Sequence, residues 1–156
     1  MSILSSSVSI TRYAVHGKLK APIIDEVLNG LKSNTISEID NRISDKAVGW
    51  TSFDKPFQAD FDGSSFVFGS FFVFALRIDK KNIPAKVLKK HYTIEAAKRM
   101  SASGRDFLSK AEKKLVKEHV ISGLILRIPA TPNIYDLVWN YEDSQIWFFS
   151  NLKAAN

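Results

Sequence analysis

Two phenylalanine-rich runs, Ser65 to Phe68 and Phe71 to Ile78, are separated only by Gly69 and Ser70. A Gly-Ser pair between apolar runs predicts a tight β-hairpin, because glycine reaches the positive φ that a two-residue turn demands. Strand alternation sets Phe72 and Phe74 on one face and Phe71 and Val73 on the other. A strand apolar on both faces belongs in the middle of a covered sheet, not on a solvated surface. Phe66, Phe68, Phe71, Phe72 and Phe74 are therefore expected in a core and not as a base-stacking platform; Trp139, Trp147 and Phe149 are read the same way.

Helical patterns supply the cover. Ile23, Ile24, Val27, Leu28 and Leu31 recur at three-to-four spacing, which predicts a helix over about Pro22 to Lys32. Ser7 to His16 and Val48 to Phe53 read as strands. So do Leu124 to Ile128, Ile134 to Tyr141 and Gln145 to Phe149, with a turn at Glu142-Asp143-Ser144. Pro84 opens a second helix with Val87, His91, Ile94 and Lys98 along one side, and Gly104 interrupts it. A third is expected over Arg105 to Ile121, with Leu108, Ala111, Leu115, His119 and Ser122 along one face. Ser150 is placed to cap a last helix, and Leu152 to Asn156 read as the first turn of an element that continues in a longer protein. The expected fold is α+β: a mainly antiparallel sheet packed with helices, plus a projecting basic helical pair. At 156 residues it is expected as a single domain over 1–156, with a basic helical insertion at about 84–122.

Charge is unevenly spread. From Arg77 to Arg127 there are 14 Lys/Arg against 5 Asp/Glu, whereas the rest of the chain holds 8 against 11. A basic middle in a slightly acidic chain suits an acidic partner, with nucleic acid first and anionic membrane second. Lys110, Lys113, Lys114 and Lys117 fall at i, i+3, i+4 and i+7, and Lys86, Lys89 and Lys90 repeat the start of that spacing. Each set shares one helix face. Lys98, Arg99 and Arg105 surround the break between the helices. Lysine offers point charges instead of the planar fork that reads guanine, so this surface suits phosphates without sequence preference. The competing reading is a solvated helix face, diluted by Glu95, Glu112 and Glu118, on a protein-interaction module with no nucleic-acid role.

Other chemistry finds little footing. There is no cysteine, hence no disulfide, thiolate ligand or cysteine nucleophile, and a reducing compartment is consistent with that. No secretory leader pattern opens the chain and no apolar run reaches bilayer length, so a cytoplasmic protein without membrane contact is expected. His16, His91 and His119 have no metal-ligand spacing; His91 and His119 are expected as partly buried structural residues. Asp54, Asp60 and Asp62 are the candidate carboxylates of a metal-dependent nuclease, set against aspartates that serve turns. No catalytic residue, metal ligand or cofactor site is expected.

Several passages resemble, in order and spacing, the N-terminal part of the recombination-associated RdgC family. They are Val48-Gly49-Trp50; Ala75-Leu76-Arg77 followed by Asp79-Lys80-Lys81-Asn82-Ile83-Pro84; Gly104-Arg105-Asp106-Phe107-Leu108; Ala111 to Val120; Trp139; and Ile146 with Ser150-Asn151-Leu152-Lys153-Ala154-Ala155. Where relatives read Leu-Leu-Pro-Arg-Ala-Phe, this chain has Leu124-Ile125-Leu126-Arg127-Ile128-Pro129-Ala130. The resemblance implies a non-enzymatic, nucleoid-associated homodimer. Such a protein encircles double-stranded DNA without sequence preference and modulates DNA recombination driven by a RecA-type recombinase. The family is also described as an exonuclease, which is the metal-dependent nuclease alternative. The candidate DNA-binding residues are those of the two basic stripes and of the break between the helices: Lys86, Lys89, Lys90, Lys98, Arg99, Arg105, Lys110, Lys113, Lys114 and Lys117.

Overall fold

A computed structural model describes residues 3–150. In chain order the elements are β1 (Thr11–Ala14), α1 (Ile23–Ser33), β2 (Lys46–Thr51), β3 (Val67–Phe68), β4 (Phe71–Lys80), α2 (Ala85–Ser103), α3 (Lys110–Ile125), β5 (Thr131–Asn140) and β6 (Gln145–Phe148), with a short 3-10 turn at Asp62–Ser64. The fold is α+β. The chain forms two compact units: the first holds residues 1–37, 47–79 and 132–156, the second 38–46 and 80–131.

The first unit is built on the hairpin. Val67 pairs with Phe72 and Phe68 with Phe71, leaving Gly69 and Ser70 as a two-residue turn. Gly69 has φ +62°, the left-handed region that excludes most side chains. The six-stranded sheet runs β1-β6-β5-β4-β2, with β3 paired to β4. β6 is antiparallel to both β1 and β5, through Thr11 opposite Phe148 and Val138 opposite Trp147. The ten-residue β4 is buried along most of its length, as its two apolar faces require.

Those faces feed separate clusters. Phe66, Phe72, Phe74, Leu137 and Phe148 pack with Val27 and Leu31 of α1. Val73, Val138 and Phe149 pack with Ile3, Phe53, Phe71 and Trp147. Phe68 departs from the expected core role: it ends the short strand at the turn and is half exposed, 50%. β1 is shorter than the alternation suggested, because only Thr11–Ala14 find partners on β6. The segment after α1 joins β2 through a parallel bridge from Thr35 to Trp50. There the Ile36 N–H donates to the Trp50 carbonyl at 3.0 Å and the Trp50 N–H to the Asn34 carbonyl at 2.8 Å.

The second unit is a helix pair with its loops. Gly104 ends α2 in the left-handed conformation, φ 63°. α3 starts at Lys110, later than expected, because Ser109 and Glu112 form a capping box: the Ser109 hydroxyl accepts from the Glu112 N–H, and the Glu112 carboxylate accepts from the Ser109 N–H. The helix then runs through Ile125, so the strand expected over Leu124 to Ile128 does not exist. Leu124 and Ile125 are buried helical residues, and the next N–H groups close a turn onto the Leu124 carbonyl. A run of three apolar residues, an arginine and an isoleucine is too short to carry a period of its own with which to resist an established helix. The shared core of the pair is Ala96, Leu108, Val116, Val120 and Leu124, joined by Leu88, Tyr92 and Met100.

Candidate nucleic-acid interface

Both helices bury a face other than the expected one. On α2 the packed line is Leu88, Tyr92, Ala96 and Met100. Val87, Ile94 and Lys98 are exposed, and His91 is half-buried. On α3 the packed line is Val116, Val120 and Leu124, whereas Ala111, Leu115, His119 and Ser122 are exposed. His119 is thus a surface side chain, not the partly buried one expected, because the apolar arc chosen from its spacing is not the arc that α2 covers.

Every lysine of the candidate set is exposed: Lys86, Lys89, Lys90 and Lys98 on α2, and Lys110, Lys113, Lys114 and Lys117 on α3. At about 100° per residue, the stripe Lys110-Lys113-Lys114-Lys117 is centred about a quarter turn from the middle of the packed line of α3. Lys86, Lys89 and Lys90 are centred about a quarter turn from the packed line of α2, in the same rotational sense. Lys98 falls on the other side of α2 and so stands apart from its stripe.

The arginines have local work. Arg99 Nε lies 3.5 Å from the Glu95 carboxylate one turn earlier. Arg105 donates to the Ser103 hydroxyl at 3.3 Å and grips the Glu112 carboxylate, so it braces the connection between the helices. That contact comes first among the causes that hold Glu112 down to a pKa of about 2, followed by the N–H and hydroxyl of Ser109. Lys114 lies 3.8 Å from Glu118, both well exposed, a pairing worth little in water. The remaining seven lysines of the set carry no ion pair among the described residues.

Two cations of the basic window face inward. Lys81 is 7% exposed and its ammonium donates to the carbonyls of Arg42 at 2.9 Å and Ile125 at 2.8 Å. The second of these carbonyls belongs to the last residue of α3, where a positive charge meets the negative end of the helix dipole. Arg77 is 6% exposed and bound to Asp79. Both positions were legible only as charge. A basic residue inside an apolar strand two places from an aspartate was the available sign for Arg77, and Ser-x-x-Glu at 109–112 was the sign for the capping box.

Two of the three aspartates of the nuclease alternative, Asp60 and Asp62, are engaged in hydrogen bonds within the chain. Asp60 accepts the Asp62 N–H at 2.9 Å, an Asx turn, and Asp62 accepts from Lys32 at 2.9 Å. No group of three or more His, Asp or Glu stands at metal-binding spacing among the described residues. A groove of about 350 Å³ in the first unit is lined by apolar side chains throughout, including Phe53, Phe71, Val73 and Trp147, and offers no acid, base or ligand. A second, beside α1, is walled by Trp50, Phe74 and Trp139, with Glu26 and Asn34 as its polar members. No described helix is long and apolar enough to cross a membrane.

No protein-family model matches the chain, and no curated protein matches it either.

Proposed function

We propose that the chain binds the backbone of duplex DNA without sequence preference through the lysine faces of α2 and α3, and through that binding modulates RecA-dependent recombination. The observation that carries the reading is the common rotational sense of the two stripes. α2 and α3 share a core and are joined by only the six residues Gly104 to Ser109, the geometry of an antiparallel helix hairpin. The two-fold rotation that exchanges the helices of such a hairpin keeps its front at the front. Stripes offset in the same sense from their packed lines therefore emerge on the same side of the pair. The seven exposed lysines of the two stripes, of which only Lys114 lies near a carboxylate among the described residues, then form one positive surface for phosphates. A merely solvated pair of helices has no need to align its stripes.

The test is fluorescence anisotropy of a random-sequence duplex of roughly 30 base pairs, several turns of B-form groove for such a surface, titrated across a salt series. Engagement of all seven lysines gives a log–log salt slope of about −6. Changing Lys110, Lys113, Lys114 and Lys117 to Glu removes binding, while Lys98→Glu, off the stripe, changes it little. Affinity that ignores salt, or that survives the quadruple change, overturns the reading.

A further inference from the structure

The sheet is apolar on both faces, and one of them packs on Val27 and Leu31 of α1. On the other, Phe71, Val73, Val138 and Trp147 line a groove of about 350 Å³, with the exposed Leu4 and Phe68 among its walls. Every lining side chain is apolar. The strand register carries this face on to a charge. Val138 stands opposite Trp147, and Trp147 opposite Arg12 of β1. Directly opposed residues of a ladder share a face, with Cβ atoms about 5 Å apart. Arg12 therefore follows Trp147 along the groove, on the strand at the edge of the sheet. It is exposed, and no hydrogen bond or ion pair holds it among the described residues. The acids that alternation sets on this face of β4 and β5 are occupied: Asp79 holds Arg77, and the buried Asp136 accepts the Ile3 N–H at 2.7 Å.

We propose that this groove binds a free medium-chain fatty acid, with the hydrocarbon chain on the apolar walls and the carboxylate on Arg12. The walls select the chain. A protein segment or a nucleobase would press amides or ring nitrogens against side chains that offer no hydrogen bond, and that desolvation is costly. A methylene chain has nothing to satisfy. The volume lies at the small end of ligand pockets, which run from about 300 to 1,000 Å³, and suits one chain of about ten carbons. Arg12 selects the head. A guanidinium holds a carboxylate through two parallel N–H donors, and its apolar stem lets it reach back toward the groove. The site uses no lysine of α2 or α3, so the inference does not depend on DNA binding.

The test is calorimetric titration of the full chain with decanoate, kept below its micelle concentration. Saturable binding at a single site is expected, and octanoate, shorter by two methylenes, binds about tenfold more weakly. Decyltrimethylammonium, the same chain with a cationic head, also binds about tenfold more weakly than decanoate. Arg12→Glu reverses that preference for the head; Arg12 is exposed, so the change leaves the fold intact. Methyl NMR places the ligand: decanoate shifts the Val73 and Val138 methyls and leaves those of Val116 and Val120 in the helix pair unmoved. No binding of monomeric decanoate overturns the proposal, as does binding only to micelles or to anionic vesicles. An apolar patch without head selection, equally tight for both amphiphiles before and after Arg12→Glu, overturns it too. So does a groove already filled by a second chain, seen as Val73 and Val138 shifts that follow protein concentration without any fatty acid.

Discussion

The guanidinium of Arg77 and the carboxylate of Asp79, two residues apart on β4, meet in a side-on fork, Nε to Oδ1 at 2.8 Å and Nη2 to Oδ2 at 2.6 Å. Strand geometry puts i and i+2 on one face, and both side chains are buried, 7% and 1% exposed. The Phe57 ring lies 5.9 Å from the guanidinium carbon. A buried pair of this kind contributes little net stability, yet losing one member leaves the other charge uncompensated. Asp79→Ala is therefore expected to lower unfolding free energy by about 3–5 kcal/mol in urea titration. Arg77→Met with Asp79→Leu should recover most of that loss.

Gly49 is required by space, not by φ. A Cβ on Gly49 would stand 2.5 Å from both the N and Cα of Ile36, backbone atoms that cannot rotate away. The parallel bridge from Thr35 to Trp50 depends on that approach. Gly49→Ala should cost about 1–3 kcal/mol or more in thermal unfolding. Gly30→Ala, on α1 with nothing near its added methyl, should be neutral or stabilising.

Glu112 predicts a specific acid limb. Its carboxyl is held at about 2 in the folded chain against an ordinary 4.5, by Arg105 first and then by Ser109. A depressed carboxylate contributes stability that is complete above the unfolded value and is lost as pH falls through the folded one. The contribution should thus be intact above about pH 4.5 and vanish between there and about pH 2. Glu112→Gln should remove this component from a stability-versus-pH curve. Ser109→Ala should shrink it and cost about 1 kcal/mol at neutral pH.

Lys81 joins three parts of the second unit: its own backbone N–H donates to the Asp45 carbonyl at 2.8 Å, and its ammonium reaches Arg42 and the end of α3. Lys81→Met keeps the stem but strands two carbonyls. A loss of about 2 kcal/mol is expected, with faster amide exchange in residues 38–46 by hydrogen-exchange mass spectrometry. Lys81→Glu should have no effect on duplex binding beyond the fraction unfolded, since the ammonium does not face solvent.

The hairpin, the sheet strands around Glu142-Asp143-Ser144 and the Gly104 stop were readable because each is decided within a few residues. Gly69 and Gly104 adopt the positive φ that their neighbours cannot. The lysine spacing was readable for the same reason, since helical geometry alone sets which residues share a face. The end of α3 was misread because Leu124 to Ile128 looks equally apolar in either secondary structure. The inward turn of Lys81 was invisible, because a charge count does not distinguish a solvated ammonium from one spent on two carbonyls.

The amino-acid order by itself determined a buried hairpin, a helix pair capped at Gly104 and two lysine stripes, each a consequence of local backbone geometry and residue period. Tertiary structure decided which apolar arc of α3 is covered. Val116-Val120-Leu124 and Ala111-Leu115 are both helical lines with apolar members, and periodicity cannot rank them. Burial is a property of the neighbour that arrives, so the choice belongs to the packing of α2 against α3, which no window of the sequence contains.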